Sequence, residues 1–304
     1  MAKIVLVFAG QGAQYSGMGK DLWENSQAAR AVFAMADRIR PGTSRQCFEA
    51  SKEELSQTIN TQPALFTVDL ACAAALAEND ITAAGAAGFS LGELPALAFS
   101  GIMSYEDAFA LTCKRAQYMQ QAAEKNNGSM MAILRLANEQ VEAICAEFDR
   151  VYAVNYNCPG QLVVAGDEAQ LTEYADRVAQ AGGKAMKLAV NGAFHSPFMQ
   201  EAAENLVREL DEISFNPPHI PVYSNVTALP YKNGKDLLAK QVISPVLWQK
   251  TIENMLADGY DTFIEVGAGK TLGGLIKKIS AGLRVFNVED SKSLQKTLEA
   301  LKGD

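Results

Sequence analysis

Basic residues are in the minority here: 27 Lys and Arg stand against 35 Asp and Glu, a formal net charge of −8. Phosphate backbones are held by basic surfaces, so a general nucleic-acid role is excluded, and an acidic partner would have to meet a local basic patch. Cysteine is sparse. Cys47, Cys72, Cys113, Cys145 and Cys158 are odd in number and widely spaced, with no C-x-x-C pair. That pattern supports neither a zinc site nor a disulfide framework and fits a reduced, cytoplasmic protein. Long apolar runs are missing too. The N-terminal run Ile4 to Ala9 suits a buried strand and is too short for a signal peptide or a membrane span, and no other run approaches ~18 residues, so no membrane partner is expected. Histidine, with two residues, is as scarce as tryptophan. Any chemistry that needs an imidazole must use His195 or His219.

What is present suits a folded enzyme-sized chain. The 304 residues are enough for one large α/β domain, or a large one and a small one. Hydrophobic residues make up 48%, which allows a sizeable core. Strand-like apolar runs alternate with helical patterns at both ends, the mark of a mainly parallel sheet covered by helices. Ile4–Ala9, Ala83–Phe89, Thr262–Val266 and Arg284–Val288 read as its strands. Asn60 to Pro63 opens a long apolar helix to about Glu78, with Thr61 as cap and Pro63 in the first turn. Ser104 caps a helix to about Lys125, with Ala108, Leu111, Thr112, Arg115 and Met119 on one face.

The middle of the chain reads differently. Met130–Leu134, Val151–Asn155, Gln161–Ala165 and Lys184–Val190 are strand-like, and Asn138–Phe148 and Glu168–Ala181 are helix-like. That βαββαβ order is the ferredoxin-like unit. It lies between the turn signals Asn126-Asn127-Gly128 and Asn191-Gly192. The expected organisation is a large subdomain of residues 1–127 and 196–304 with a small inserted one of residues 128–195.

Gly88 to Glu93, G-F-S-L-G-E, carries the chemistry. G-x-S-x-G is the form of a nucleophile elbow, a sharp strand-to-helix turn with the serine, here Ser90, at its tip. A serine needs a base within hydrogen-bond reach. His219 lies in a proline-rich strand entry and reads as structural or surface-exposed, whereas His195 lies in a loop at the subdomain junction, where clefts form. As a loop residue His195 has a capping or surface role as its alternative. No acidic residue lies near it in sequence, and the next one is Glu201, so a backbone carbonyl or amide is left to orient the ring. An oxyanion hole would use the Leu91 N–H and a donor from the Gly10–Gln14 loop. Two nucleotide readings fail: G-x-G-x-x-G would need glycine at Tyr15, and a phosphate loop ending at Lys270-Thr271 would need it at Ile264. Arg115, on an apolar helix face, must be paired if buried. Its partner is either an internal carboxylate or a substrate carboxylate received in two parallel hydrogen bonds.

Taken together these motifs resemble the malonyl-CoA:acyl carrier protein transacylases of bacterial fatty acid synthesis, nearly end to end. Phe8 to Gln14, the elbow, Lys114-Arg115 with Met119-Gln120, Asn155 to Gln161, Gly192 to Pro197, Ser244 to Trp248 and Glu265 to Lys270 follow in the family's order. The resemblance implies an α/β fold: an α/β-hydrolase-like parallel-sheet core with an inserted ferredoxin-like subdomain. It implies Ser90 as the acyl carrier and His195 as general base, with the imidazole oriented by the backbone carbonyl of Gln241. The N–H groups of Gln11 and Leu91 would form the oxyanion hole, and Arg115 would bind the malonyl carboxylate. Malonyl-CoA is then the substrate and acyl carrier protein the partner of a monomer, with no metal and no bound cofactor. One position departs: the family's histidine before the serine is Phe89 here. The A-F-H form of the base motif is similar to that of malonyl-selecting members. A polyketide acyltransferase, an acyl-thioester hydrolase on the same fold and a non-catalytic carrier-docking module are the alternatives. Lys184, Lys187, Lys270, Lys277 and Lys278 are candidates for a carrier-binding patch by position.

Overall fold

The computed structural model describes residues 3–232 and 234–302. Two sheets organise the chain. The first is parallel throughout, in the order β7 (Val222–Tyr223), β2 (Gly85–Gly88), β1 (Ile4–Phe8), β8 (Thr262–Val266) and β9 (Arg284–Val288). Helices cover both faces. Val5 and Val7 pack one way, toward Trp248, Ile252 and Ile276, while Leu6 and Phe8 pack the other way into the main core. A strand buried on both faces reads as a continuous apolar run, which is why β1 shows no alternation.

The second sheet is antiparallel, in the order β4 (Val151–Cys158), β5 (Gln161–Asp167), β3 (Gly128–Leu134) and β6 (Lys184–Lys187). The helices Asn138–Cys145 and Glu168–Gln180 close one face over Ile133, Leu162, Val164, Leu171 and Tyr174. The other side joins the large core through Val154, Val163 and Ala165. Val246 lies between the two sheets: it packs in one apolar cluster with Val5 and Val7 of β1, its N–H donates to Val154 O of β4 at 2.8 Å, and its carbonyl accepts from Tyr156 N at 3.0 Å. The parallel core with an antiparallel ferredoxin-like insertion is the fold class expected from the pattern.

Four expectations shift in detail. The long apolar helix begins at Thr58 rather than beside Pro63, with Gln57 as its cap. Thr61 is therefore inside it, buried, and its hydroxyl donates to the carbonyls of Leu55 and Gln57 rather than capping. Pro63 sits beyond the first turn, fully buried in the core. The strand expected over Lys184–Val190 stops at Lys187, and Leu188 and Val190 turn to line the cleft instead. No helix among the described residues is long and apolar enough to cross a membrane.

Register places the site. Phe8 pairs with Gly88 on one side and with Val266 on the other, so β2, β1 and β8 end level. The Gly10–Gln14 loop, the elbow and the Gly267–Lys270 loop thus leave the same carboxyl edge of the sheet, where open α/β sheets form their crevices. The antiparallel sheet stands over that edge, with Asn155 and Leu188 facing it.

Candidate active site

The elbow is a steric requirement of its glycines. A Cβ on Gly88 would lie 1.9 Å from the carbonyl of Gly92, and one on Gly92 would lie 2.2 Å from Phe8 O. Ser90 has φ 54°, in the left-handed region where a side-chain-bearing residue is strained. Its backbone is held on both sides. Ser90 N–H donates to Asn225 Oδ1 at 2.7 Å, Asn225 Nδ2 donates to Gly88 O at 2.6 Å, and Gln241 Nε2 donates to Ser90 O at 2.7 Å.

His195 reaches the elbow from the loop that leaves the antiparallel sheet, and it too has positive φ, 61°. Its Nε2 is 2.7 Å from Ser90 Oγ, and its Nδ1 is 2.8 Å from the backbone carbonyl of Gln241. A carbonyl only accepts, so Nδ1 carries the hydrogen and Nε2 is left as acceptor for the serine hydroxyl. Burial, and then the positive charge of Arg115, lower the pKa of His195 to about 4. The ring is therefore neutral near pH 7, the state a general base needs. His219 is elsewhere: it is exposed, its N–H bonds Ser100 O, and its ring lies against Gly101. Glu201 pairs with Lys125 at 2.5 Å and does not touch His195.

Arg115 is 2% exposed, and no carboxylate of the described residues lies within ion-pair distance of it. Its partners are neutral. Nη1 donates to Gln62 Oε1 at 2.6 Å, and Nη2 donates to Gln241 Oε1 at 2.8 Å and to Ser90 Oγ at 3.2 Å. Nε is buried with no partner. Burial lowers its pKa to about 10, so the guanidinium stays charged near neutral pH. Of the two partners open to Arg115 in the sequence, the structure supplies no directly bonded internal carboxylate.

A cavity of about 80 Å³ joins these groups, with Gln11, Leu91, Met119, Met130, Val190 and Phe194 on its walls. The Gly10 loop crosses the elbow in backbone contact, since a Cβ on Gly10 would lie 2.7 Å from Phe89 O. Leu91 opens the first turn after the serine, where helix N–H groups lack intrahelical acceptors. A second cavity of about 220 Å³ runs outward from the first, sharing Gln11, Phe89, Asn155 and Leu188 with it. Phe89 stacks edge-on against Trp248 at 5.6 Å and forms an apolar wall between the two spaces. In the outer cavity Oδ1 of Asn155 and of Asn157 are buried without hydrogen-bond partners.

The glycine loop before Lys270 serves the fold. Glu265 accepts from the N–H groups of Leu272 and Gly273 at 3.0 and 2.7 Å, so an internal carboxylate occupies the helix start that a phosphate would need. Lys187 pairs with Glu168, Lys270 lies 3.8 Å from Glu289, and Lys278 bonds Gln161.

Several site residues escaped the sequence pattern. Gln62, Asn225, Tyr231 and the side chain of Gln241 belong to no recognisable motif, and Glu93 read only as the last letter of the elbow. All but Tyr231 are at most 1% exposed. A polar residue in an otherwise apolar stretch, such as Gln62 before Pro63-Ala64-Leu65-Phe66, was the one available signal.

Comparison with known proteins gives one consistent picture. Residues 5–291 match a protein family described as acyl transferase domain. The malonyl CoA-acyl carrier protein transacylase of Bacillus subtilis is 38% identical over 314 residues, covering 100% of this chain and 99% of that protein. The crystal structure of the Clostridium perfringens protein of the same name is 40% identical with a TM-score of 0.96, covering 99% of this chain and 98% of that one. The malonyl-transacylase in a solved complex with its type II PKS acyl-carrier protein is 32% identical with a TM-score of 0.95, covering 98% of this chain and 100% of that one.

Proposed function

The chain belongs to the acyl transferase domain family, and on that premise we propose that it moves a malonyl group from malonyl-CoA to the phosphopantetheine thiol of acyl carrier protein for fatty acid biosynthesis. One observation carries the choice of acyl group: a buried, charged Arg115 with only neutral partners, 3.2 Å from the nucleophile. A buried cation with no carboxylate bonded directly to it is costly, and a malonyl carboxylate beside Ser90 would supply one.

Ser90 Oγ attacks the thioester carbonyl as its proton passes to Nε2 of His195, 2.7 Å away. The N–H groups of Leu91 and Gln11 receive the tetrahedral oxyanion. Collapse breaks the C–S bond, and the imidazolium returns the proton to the departing thiolate of CoA. The malonyl ester stays on Ser90 with its carboxylate on Arg115. The carrier thiol then gives its proton to His195 and attacks the ester, and Ser90 leaves and is reprotonated. The pantetheine arm of either substrate occupies the outer cavity, where the unpartnered Oδ1 atoms of Asn155 and Asn157 accept from its amides. The apolar walls of the inner cavity keep water from the ester between half-reactions.

In this reading the cleft lies between a subdomain of residues 128–195 and one of residues 1–127 with 196–304. The enzyme acts as a cytoplasmic monomer with no metal or bound cofactor. The test is intact-mass spectrometry after incubation with malonyl-CoA, then chase with acyl carrier protein. A single malonyl adduct, absent from Ser90→Ala and cleared onto the carrier, is expected; an adduct that persists in Ser90→Ala, or release to water faster than to carrier, overturns the assignment. The neighbour bound to a type II PKS carrier favours a second reading in which the carrier serves a polyketide synthase. Competing the two carriers in the chase separates these.

A further inference from the structure

Glu93 is fully buried at the start of the helix that follows the elbow, and it takes no part in the proton transfers of Ser90 and His195. Its Oε1 accepts from Asn225 N at 3.2 Å and from the Tyr231 hydroxyl, and its Oε2 accepts from Gln241 Nε2 at 2.6 Å. The same Nε2 donates to Ser90 O at 2.7 Å. With its nitrogen committed to those two acceptors, the Gln241 amide must turn Oε1 the other way, onto Arg115 Nη2 at 2.8 Å. The backbone carbonyl of the same residue orients His195. One glutamine side chain thus separates the buried carboxylate from the buried guanidinium.

We propose that Glu93 is a positioning residue for acyl-group selection: it is the counter-ion of Arg115 at one remove, holding Gln241 so that the guanidinium is aimed and compensated yet open to a carboxylated acyl group. The inference rests on the reading of Arg115 as the receiver of the malonyl carboxylate. The physical reason is a conflict between two needs. A cation buried beside Ser90 requires a compensating negative charge. A glutamate paired directly with Arg115 would fill the donor fork and compete with the substrate. The amide between them passes on the electrostatic support while Nε and the cavity-facing side of the guanidinium stay free of protein carboxylates.

Glu93→Gln tests this. The new amide has one oxygen where the carboxylate had two, so a donor faces a donor on one side. Turned one way it meets the backbone N–H of Asn225. Turned the other way it drives Gln241 to flip and point its nitrogen at Arg115. Acylation of Ser90 is measured with malonyl-CoA and with acetyl-CoA, which has no carboxylate to place. The expected result is a malonyl-to-acetyl ratio at least about tenfold below that of the unaltered enzyme, the effect of losing one charge-assisted hydrogen bond. A purely structural role would lower both rates together. An unchanged ratio in the folded variant overturns the proposal.

The unaltered enzyme provides a second readout that does not depend on the variant folding. Burial pushes the Glu93 carboxyl up to about 7, against the donors of Tyr231, Gln241 and Asn225 and the charge of Arg115. Of the groups facing it, Arg115 and Tyr231 are titratable and Asn225 and Gln241 are neutral. Protonation of Glu93 as pH falls removes the counter-ion, so the malonyl-to-acetyl ratio should drop several-fold between about pH 8 and about pH 6. Titration of His195 is shared by both substrates and cancels in the ratio. A flat ratio over that range overturns the proposal, whereas failure of the unaltered enzyme to form any malonyl adduct overturns instead the functional reading beneath it.

Discussion

Behind Ser90 the buried polar atoms of Asn225, Glu93, Gln241 and Tyr231 satisfy one another; in front of it Nε of Arg115 and Oδ1 of Asn155 and Asn157 are buried without partners. The two sides follow opposite rules. A closed network fixes geometry, because each donor has one acceptor to face and the strained φ of Ser90 cannot relax. An open set of polar atoms gains only when a ligand supplies the missing partners, which is how a site holds binding energy in reserve. Damage behind the serine should therefore cost stability and activity together, except along the Glu93–Gln241 link, which reaches Arg115 and with it substrate selection, and damage in front should cost substrate selection while leaving the fold intact.

The largest effect expected from breaking the front is Arg115→Ala, which should lose roughly 3–5 kcal/mol of transition-state stabilisation with malonyl-CoA, the range for stranding one member of a buried charged pair. The loss with acetyl-CoA should be much smaller, and kcat/KM for both substrates checks it; equal losses would make Arg115 structural. Asn225→Ala strikes the back. It strands the Ser90 N–H and removes the tie to Gly88, so a thermal melt should show about 1–3 kcal/mol of lost stability, with acylation by malonyl- and acetyl-CoA falling in parallel. A variant that keeps its melting temperature would erase the contrast between the two sides.

Their coupling through His195 gives a smaller effect. The pKa of the ring is lowered to about 4, by burial first and by Arg115 second, so the base is neutral above that value and activity is lost as pH falls through it. Removing the cation removes only the lesser cause. The acid limb of acetyl transfer in Arg115→Met should therefore move up while staying below the ordinary histidine value near 6.5. A limb that does not move would place the whole shift in burial. Asn155→Ala should be the mildest, raising KM for malonyl-CoA by about one hydrogen bond's worth, roughly 0.5–1.5 kcal/mol, with an unaltered melting temperature. A change in kcat alone would remove Asn155 from the binding side.

The parts legible in the sequence are those whose physics is local. The apolar run of β1, the Ser104 cap at 3.0 Å from Asp107 N, and the glycines around Ser90 each report a constraint carried by neighbouring residues. The βαββαβ order was legible because each element's period and turn lie within its own segment. Thr61 was misplaced as a cap because it has the right side chain in the wrong turn: its hydroxyl finds the carbonyls of Leu55 and Gln57, and only the course of the preceding loop reveals that. Leu188 and Val190 continued a strand-like run, yet they turn into the cleft to face apolar partners there.

The sequence by itself determined the chemistry on offer: a serine between glycines, two histidines for a base, one arginine on an apolar helix face, and a composition able to bury them. Residue type is a local property, and reactive groups are few enough to be counted. Only the tertiary structure decided what they do to one another. Ser90 and Asn225 lie 135 positions apart, and Gln241 and Glu93 lie 148 apart, yet each pair shares a hydrogen bond of 2.7 Å or less. Whether Arg115 would meet a carboxylate or only amides depended on which side chains the sheet edge and two packed helices bring within 3 Å of it. That is a property of closure in space, to which no spacing along the chain gives access.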